Sequence, residues 1–297
     1  MTRLLCRTLL LLSSALAVGP TLAVDLVPQD LVPPPPGLRA VQLSYSSSER
    51  GEFYRDGKRQ SRDTRLDVDQ IALRIGRSFQ WGRRPAYFYA QMGHSRVDPG
   101  GSLQPVESNA GIGDLGLMLA TWPYVDRAAG RYAGVAAYLS LPTGSYDPLK
   151  TVVLDTNAGR NRFSAALQAG YGQRLFGPFS WMIAGDVAVF GDNDRYYGPY
   201  AQEETLSQRP LFSTQTALTY TVNRMTSLGL SYFYNTGGET RLGPSDWDNR
   251  INLHRYGITA LVRLPFGRLT LEYGGDLTTD TGLIEETRWA IKLSRIF

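Results

Sequence analysis

From Leu38 onward, apolar residues alternate with small or polar ones at a spacing of two. In 163–171 the odd positions Phe163, Ala165, Leu167, Ala169 and Tyr171 are apolar, with Ser164, Ala166, Gln168 and Gly170 between them. In 181–189, Trp181, Ile183, Gly185, Val187 and Val189 oppose a face that carries Asp186. Tyr256, Ile258, Ala260, Val262 and Leu264 face away from Gly257, Thr259 and Arg263, and Leu228, Leu230, Tyr232 and Tyr234 alternate with Gly229 and Ser231. Successive side chains of a strand point to opposite faces, so each stretch predicts a strand with one apolar face. About twelve segments of this kind follow one another, each on the order of the 9–11 residues that cross a membrane. One stretch changes phase. Leu66 and Val68 are even, whereas Ile71, Leu73 and Ile75 are odd, which predicts a bulge between them.

The connections alternate too. Trp81-Gly-Arg-Arg84, Asp126-Arg-Ala-Ala-Gly130, Phe176-Gly-Pro178, Asn223-Arg-Met225 and Pro265-Phe-Gly267 are short and turn-like. The links between them, at 51–64, 98–109, 143–162, 191–210 and 236–251, are mostly long, polar and rich in Gly, Asp and Arg. Short periplasmic turns alternating with longer external loops characterise outer-membrane barrels, and a soluble sandwich does not need the asymmetry. Aromatics gather near the strand ends, Phe79 with Trp81, Tyr87 with Tyr89, Trp122 with Tyr124 and Phe179 with Trp181. That clustering predicts an interfacial girdle.

Both chain ends fit an exported barrel. Residues 1–23 read as a signal peptide: Arg3 and Arg7 first, then Leu9 to Leu12 with Ala15 to Val18, then a small-residue site at Thr21-Leu-Ala23. Ser13, Ser14 and Gly19 interrupt the apolar stretch, which is too short to be a spanning helix. Residues 24–37 include Leu31-Val-Pro-Pro-Pro-Pro-Gly37. They are expected as a Pro-rich periplasmic lead-in, since Pro cannot donate to a sheet ladder. The barrel then occupies 38–297. Its last strand sets Trp289, Ile291, Leu293 and Phe297 against Ala290, Lys292 and Ser294. A terminal aromatic on an alternating strand reads as the sorting signal recognised by the outer-membrane barrel assembly machinery. Arg295 interrupts the apolar face, where its long stem can snorkel to the headgroups.

Composition narrows the picture further. The only cysteine, Cys6, lies in the leader, so the processed chain has no disulfide, thiol nucleophile or cysteine-ligated metal. Of 31 basic side chains, Arg3 and Arg7 leave with the leader, and 29 remain against 27 acidic ones. That near-neutral balance argues against a nucleic-acid partner, which would want a basic face. Mean hydropathy is −0.23, and no later run approaches a spanning helix. A barrel hides its membrane signal in this way, because only alternate residues meet lipid. The fold class is therefore all-β, an antiparallel transmembrane β-barrel of about 12 strands in the bacterial outer membrane.

Several blocks recur in a fixed order: Pro33-Pro-Pro-Pro-Gly37, Gly111-Ile-Gly-Asp-Leu115, Tyr138-Leu-Ser-Leu-Pro-Thr-Gly-Ser-Tyr-Asp147, Asn157-Ala-Gly-Arg-Asn-Arg162, Gly191-Asp-Asn-Asp194, Gly237-Gly-Glu-Thr240 and the terminal Phe297. In this series the chain resembles the MetA-pathway of phenol degradation (phenol meta-degradation) family of outer-membrane β-barrel proteins. The resemblance implies a barrel that helps small, aromatic or hydrophobic compounds cross, and it carries over no catalytic residue set.

The residues themselves offer little chemistry. His94 and His254 are the two histidines. His94 and Ser95 are adjacent, so on a strand they point to opposite faces and cannot form a nucleophile–base pair. His254 with Asp246 and Asp248 could serve a surface hydrolase, although loop Asp and His are usually just solvated. No His pair has metal-ligand spacing, and neither metal nor cofactor is expected. Gly191-Asp-Asn-Asp194 offers oxygens to calcium but lacks the rest of a calcium loop, so an Asx turn is the better reading. By strand parity the lumen should hold Arg74, Asp114, Asp186, Arg263, Glu272, Asp276, Arg288 and Lys292. Such groups either select solutes or pair across a narrow lumen and fill it. Inner-face Gly134, Ala136, Ala166, Gly170 and Gly229 leave room there, which loops or the Pro-rich N-terminus could occupy.

Together with what the resemblance implies, these features lead to the expectation of a non-enzymatic channel or transporter for passive passage of small, aromatic or hydrophobic compounds. Its partners would be outer-membrane lipid, those solutes and, through Phe297, the assembly machinery. The alternatives are a structural or ligand-binding barrel acting through its external loops, and an outer-membrane hydrolase.

Overall fold

The computed structural model describes residues 25–198 and 201–297, so the expected leader lies outside the described residues. Twelve long strands follow in chain order. They are β1 (Arg39–Arg55), β2 (Thr64–Trp81), β3 (Arg84–Gly101), β4 (Leu115–Asp126), β5 (Arg131–Leu141), β6 (Ser164–Arg174), β7 (Phe179–Phe190), β8 (Leu211–Thr221), β9 (Thr226–Gly237), β10 (Ile251–Leu264), β11 (Gly267–Thr279) and β12 (Gly282–Ile296). Each pairs with its sequence neighbour, and β12 pairs antiparallel with β1 from Ala40↔Ile296 to Tyr54↔Gly282. At the seam, Arg39 and Phe297 exchange backbone hydrogen bonds of 3.2 and 2.9 Å. Closure matters because an unpaired backbone group in hydrocarbon costs several kcal/mol, and a closed ladder leaves no edge.

The alternation in the sequence becomes an apolar belt. Across neighbouring strands, Trp181 pairs with Leu218, Leu218 with Leu230, Leu230 with Ile258, Ile258 with Tyr273, and Tyr273 with Trp289. Leu218, Leu230, Ile258, Tyr273 and Trp289 are exposed, as lipid-facing residues must be. Turns of two to four residues join the strands at 82–83, 127–130, 175–178, 222–225 and 265–266, on the same side as Arg39 and Phe297. The opposite links are long except the last, 280–281. Arg295, paired with Val41 in the seam, is exposed on the outer face with its guanidinium 4.8 Å from the Phe297 ring.

In the strands, the bulge and the girdle need correction. The first is the bulge between Leu66 and Ile71. The β1–β2 and β2–β3 registers run through this stretch without a shift. The strand instead leaves the membrane. Leu66 turns inward beneath the loops, where it is buried with Phe53, Val97, Leu103, Leu154 and Leu283, and Val68 packs against this cluster. Asp67 and Asp69 therefore take the outward positions in water. The second is the girdle. Trp81, Tyr124 and the group Phe176, Phe179 and Tyr220 lie outside near the short turns. Tyr87, Tyr89 and Trp122 face the lumen instead.

The external loops are tied by buried polar side chains. Asn193 accepts from Arg195 N in an Asx turn and donates to Tyr146 Oη. Asp155 accepts from Asn157, and burial pushes its carboxyl above the usual range against the pull of Arg160 and Asn157. A raised folded-state pKa gives a contribution that is complete below the ordinary Asp value and lost as pH rises through the raised one. Amide exchange over 147–157, corrected for intrinsic rate, should therefore quicken from acid towards neutral pH. Asp155→Asn should abolish that dependence.

Candidate functional site: a lumen filled from the periplasmic side

Residues 25–37, expected as part of a periplasmic lead-in, pack within the barrel. They turn back from β1 and run up inside it. Gly37 N donates to Ser78 O and Ser78 Oγ donates to Pro35 O, which holds the start of the segment at the periplasmic mouth. Asp30 N donates to Val27 O, and Val27 N donates to Asp30 Oδ2. This turn satisfies backbone groups that no ladder reaches. Val27, Leu31 and Pro33 are buried, which explains why an apolar, Pro-rich stretch prefers the lumen to water; each such burial contributes about 1.5–3 kcal/mol for a Val or Leu.

The wall is shaped for the segment. A Cβ at Gly170 would lie 2.8 Å from a Leu31 methyl, and one at Gly229 would lie 2.5 Å from the Pro28 ring. The small inner face that alternation produces is thus the seat of the segment. Polar anchors come from opposite sides of the barrel. Trp122 Nε1 donates to Leu31 O (2.8 Å), Gln29 Nε2 donates to Ser227 Oγ (3.0 Å) and Leu26 N donates to Gln215 Oε1 (3.0 Å). Asp30 lies 3.6 Å from Arg268. Replacing Gly170 by Leu should overpack this seat by about 1–3 kcal/mol and speed proteolysis within 25–37 while the barrel stays folded.

Between segment and wall lies a cavity of about 270 Å³. Leu26, Leu31 and Val32 line it on one side. Tyr87, Tyr89, Met118, Trp122 and Tyr138 line the other, with Gln42, Arg74 and Gln168 as polar groups. Arg74 lies 4.1 Å over the Tyr89 ring and donates to Gln91 (2.8 Å). Tyr138 Oη donates to Gln168 Oε1 (3.0 Å). An apolar, aromatic wall with a few fixed polar groups suits a small organic molecule.

The charged positions chosen by parity fall into three groups. Arg74, Asp186, Glu272, Asp276, Arg288 and Lys292 lie on inner faces. Among them Lys292 and Glu272 form a pair at 2.6 Å, and Asp276 Oδ2 accepts from Glu285 N. Arg263 has the same parity, paired with Arg268, but sits exposed at the periplasmic end. Asp114 is not in the lumen. It lies in the break before β4, where its carboxylate accepts from Gly144 N and Arg160 N (2.9 Å each) and pins two external loops together. Parity fails there because Gly113 and Asp114 are outside any strand.

Sequence reasoning also missed Asp25 and Arg255. Asp25 Oδ1 is 2.8 Å from Arg255 Nη2, and its Oδ2 is 3.8 Å from Arg288 Nη1. The signal for Arg255 was present, since it alternates with the outward Tyr256. Neither hydrolase constellation assembles. His94 lies on the outer face opposite Ile71, and His254 Nδ1 meets Tyr232 Oη beside the Tyr234 ring, also outside. Asp248 pairs with Arg55 instead.

The fold has known counterparts. An outer membrane channel from Pseudomonas putida F1 shares 25% identity over 92% of this chain and 100% of its own, with a TM-score of 0.86. The β domain of the Bordetella autotransporter BrkA (12% identity, 88% and 100% coverage, TM-score 0.55) shares the fold. So does the translocator domain of the autotransporter NalP from Neisseria meningitidis (10%, 90% and 90%, 0.50). No curated protein sequence matches. The twelve-strand barrel and these neighbours place the chain in the bacterial outer membrane. Residues 55–290 match the family described as "Putative MetA-pathway of phenol degradation", and the chain belongs to that family.

Proposed function

We propose that the barrel passes small aromatic or hydrophobic compounds across the outer membrane through its lumen, passively and without chemistry, once the segment 25–37 moves aside. The cavity beside that segment carries this reading, because its Tyr, Trp and Met wall suits an aromatic ring better than a hydrated sugar or ion. The similarity to an outer membrane channel supports it, as does membership of a family described by phenol degradation. Weak, reversible contacts in the lumen would allow release, with the inner charges tuning selectivity. Lipid meets the outer belt, and Phe297 at the seam serves as the mark for the assembly machinery. Phe297→Ala is expected to lower the yield of folded barrel in cells without abolishing refolding in detergent.

The test is planar-bilayer conductance of the refolded mature barrel with and without phenol, alongside equilibrium dialysis against labelled phenol. Current that phenol partly blocks supports the proposal. A barrel that binds no phenol and conducts nothing, either whole or without 25–37, overturns it.

A further inference from the structure

Asp25 makes a contact that packing alone does not require. Two guanidiniums, on β10 and β12, share its one carboxylate. Among the described residues no other carboxylate comes within ion-pairing distance of Arg255 or Arg288. Arg255 stands opposite Asp276 in register, but Asp276 Oδ2 accepts from Glu285 N at 2.6 Å, its Oδ1 is buried without a hydrogen-bond partner among the described residues, and neither oxygen comes within 4 Å of Arg255. Arg255 Nε is buried and has no hydrogen-bond partner among the described residues. A guanidinium carries five donors in a fork that matches a carboxylate, so this pair of arginines has more capacity than Asp25 uses.

The position of Asp25 gives that capacity a meaning. Arg255 and Arg288 are fixed by the barrel ladder, whereas Asp25 rides on the inserted segment. It lines the cavity, and neither arginine does. The Phe233 ring lies under Arg255 at 4.9 Å and helps hold the guanidinium in position.

We propose that Arg255 and Arg288 form a carboxylate-binding site on the solute path, filled by Asp25 in the closed barrel, and that its ligands are small hydrophobic carboxylates. The proposal rests on reading the lumen as a solute path. A solute carboxylate that replaces Asp25 exchanges one arginine–carboxylate pair for another, so no guanidinium is left buried without a counter-charge. The apolar part of the solute then lies along Leu31, Met118, Tyr89 and Tyr138. A neutral solute cannot make the exchange, so it gains nothing from the two arginines and relies on the apolar cavity alone. The contact that shuts the barrel would thus mimic the contact that the solute makes.

Equilibrium dialysis of the purified mature barrel against labelled benzoate and its neutral near-isostere benzamide tests this. Heat-modifiable gel mobility establishes that each variant is folded. Asp25→Asn should tighten benzoate binding about tenfold, one arginine–carboxylate contact in free-energy terms, and leave benzamide unchanged. Adding Arg255→Gln should erase the gain; Arg288→Gln gives the same readout if the Arg255 variant does not fold. Equal benzoate binding before and after Asp25→Asn overturns the proposal, as does a gain that survives the added arginine substitution in a folded barrel. If benzamide binds while benzoate gains nothing, the carboxylate site alone is wrong. If neither compound binds, even to a barrel lacking 25–37, the solute path is wrong as well.

Discussion

Deleting residues 24–37, with the leader joined directly to Leu38, is expected to raise the ion conductance of the refolded barrel severalfold. The segment contributes the burial of Val27, Leu31 and Pro33 and anchors on several strands, but it contributes no rung to the twelve-strand ladder. Its loss should leave the barrel closed and folded, and put water where the chain had been. The inner charges Arg255, Arg288, Asp186 and the Lys292–Glu272 pair would then border a hydrated path and give it ion selectivity. Planar-bilayer recordings of the two forms decide the matter. If the deleted form stays silent, the closure lies in the external apolar cluster around Leu66 and Leu154, not in the segment.

Leu230→Arg should cost about 2–4 kcal/mol of folding stability, the depth-dependent cost of placing a cation at the bilayer midplane on the lipid face of a barrel. Leu230 is 58% exposed and stands in the middle of the belt between Leu218 and Ile258. In a soluble protein the same substitution at so exposed a site would fall within about 0.5 kcal/mol. The two environments thus predict different outcomes for one mutation. Denaturant unfolding in lipid vesicles distinguishes them, and a loss below about 1 kcal/mol would remove Leu230 from the lipid face.

Most of the fold was legible because lipid and lumen impose opposite demands on neighbouring residues. In β6, β7 and β10 the outer set is apolar and the inner set small or polar, so a two-residue period suffices. The signal fails where that contrast disappears. Strand β3 carries Tyr87 and Tyr89 inward and Phe88 outward, so aromatic content cannot tell lumen from girdle. Above the membrane the demands reverse, and Leu66 and Val68 turn inward under the loops without any break in register. The same rule found six inner charges but missed Arg255, which has the right parity and a bulge beside it in the ladder with β11. Segment 25–37 has no period at all. Its conformation depends on the seat made by Gly170 and Gly229, which are far away in sequence. No local reading can supply such a contact.

The inserted segment also constrains the order of assembly. It adjoins β1, and β1 is the strand that must meet β12 to seal the wall. Its contacts reach across most of the chain: Leu26 with Gln215 across 189 residues, and Asp25 with Arg255 across 230. Such contacts form late, because long loops must close before they are rewarded. The part of the mature barrel made first is therefore the part that settles last. Refolding should show a slow step, seen in Trp122 fluorescence as its indole meets Leu31, after the strands have already paired.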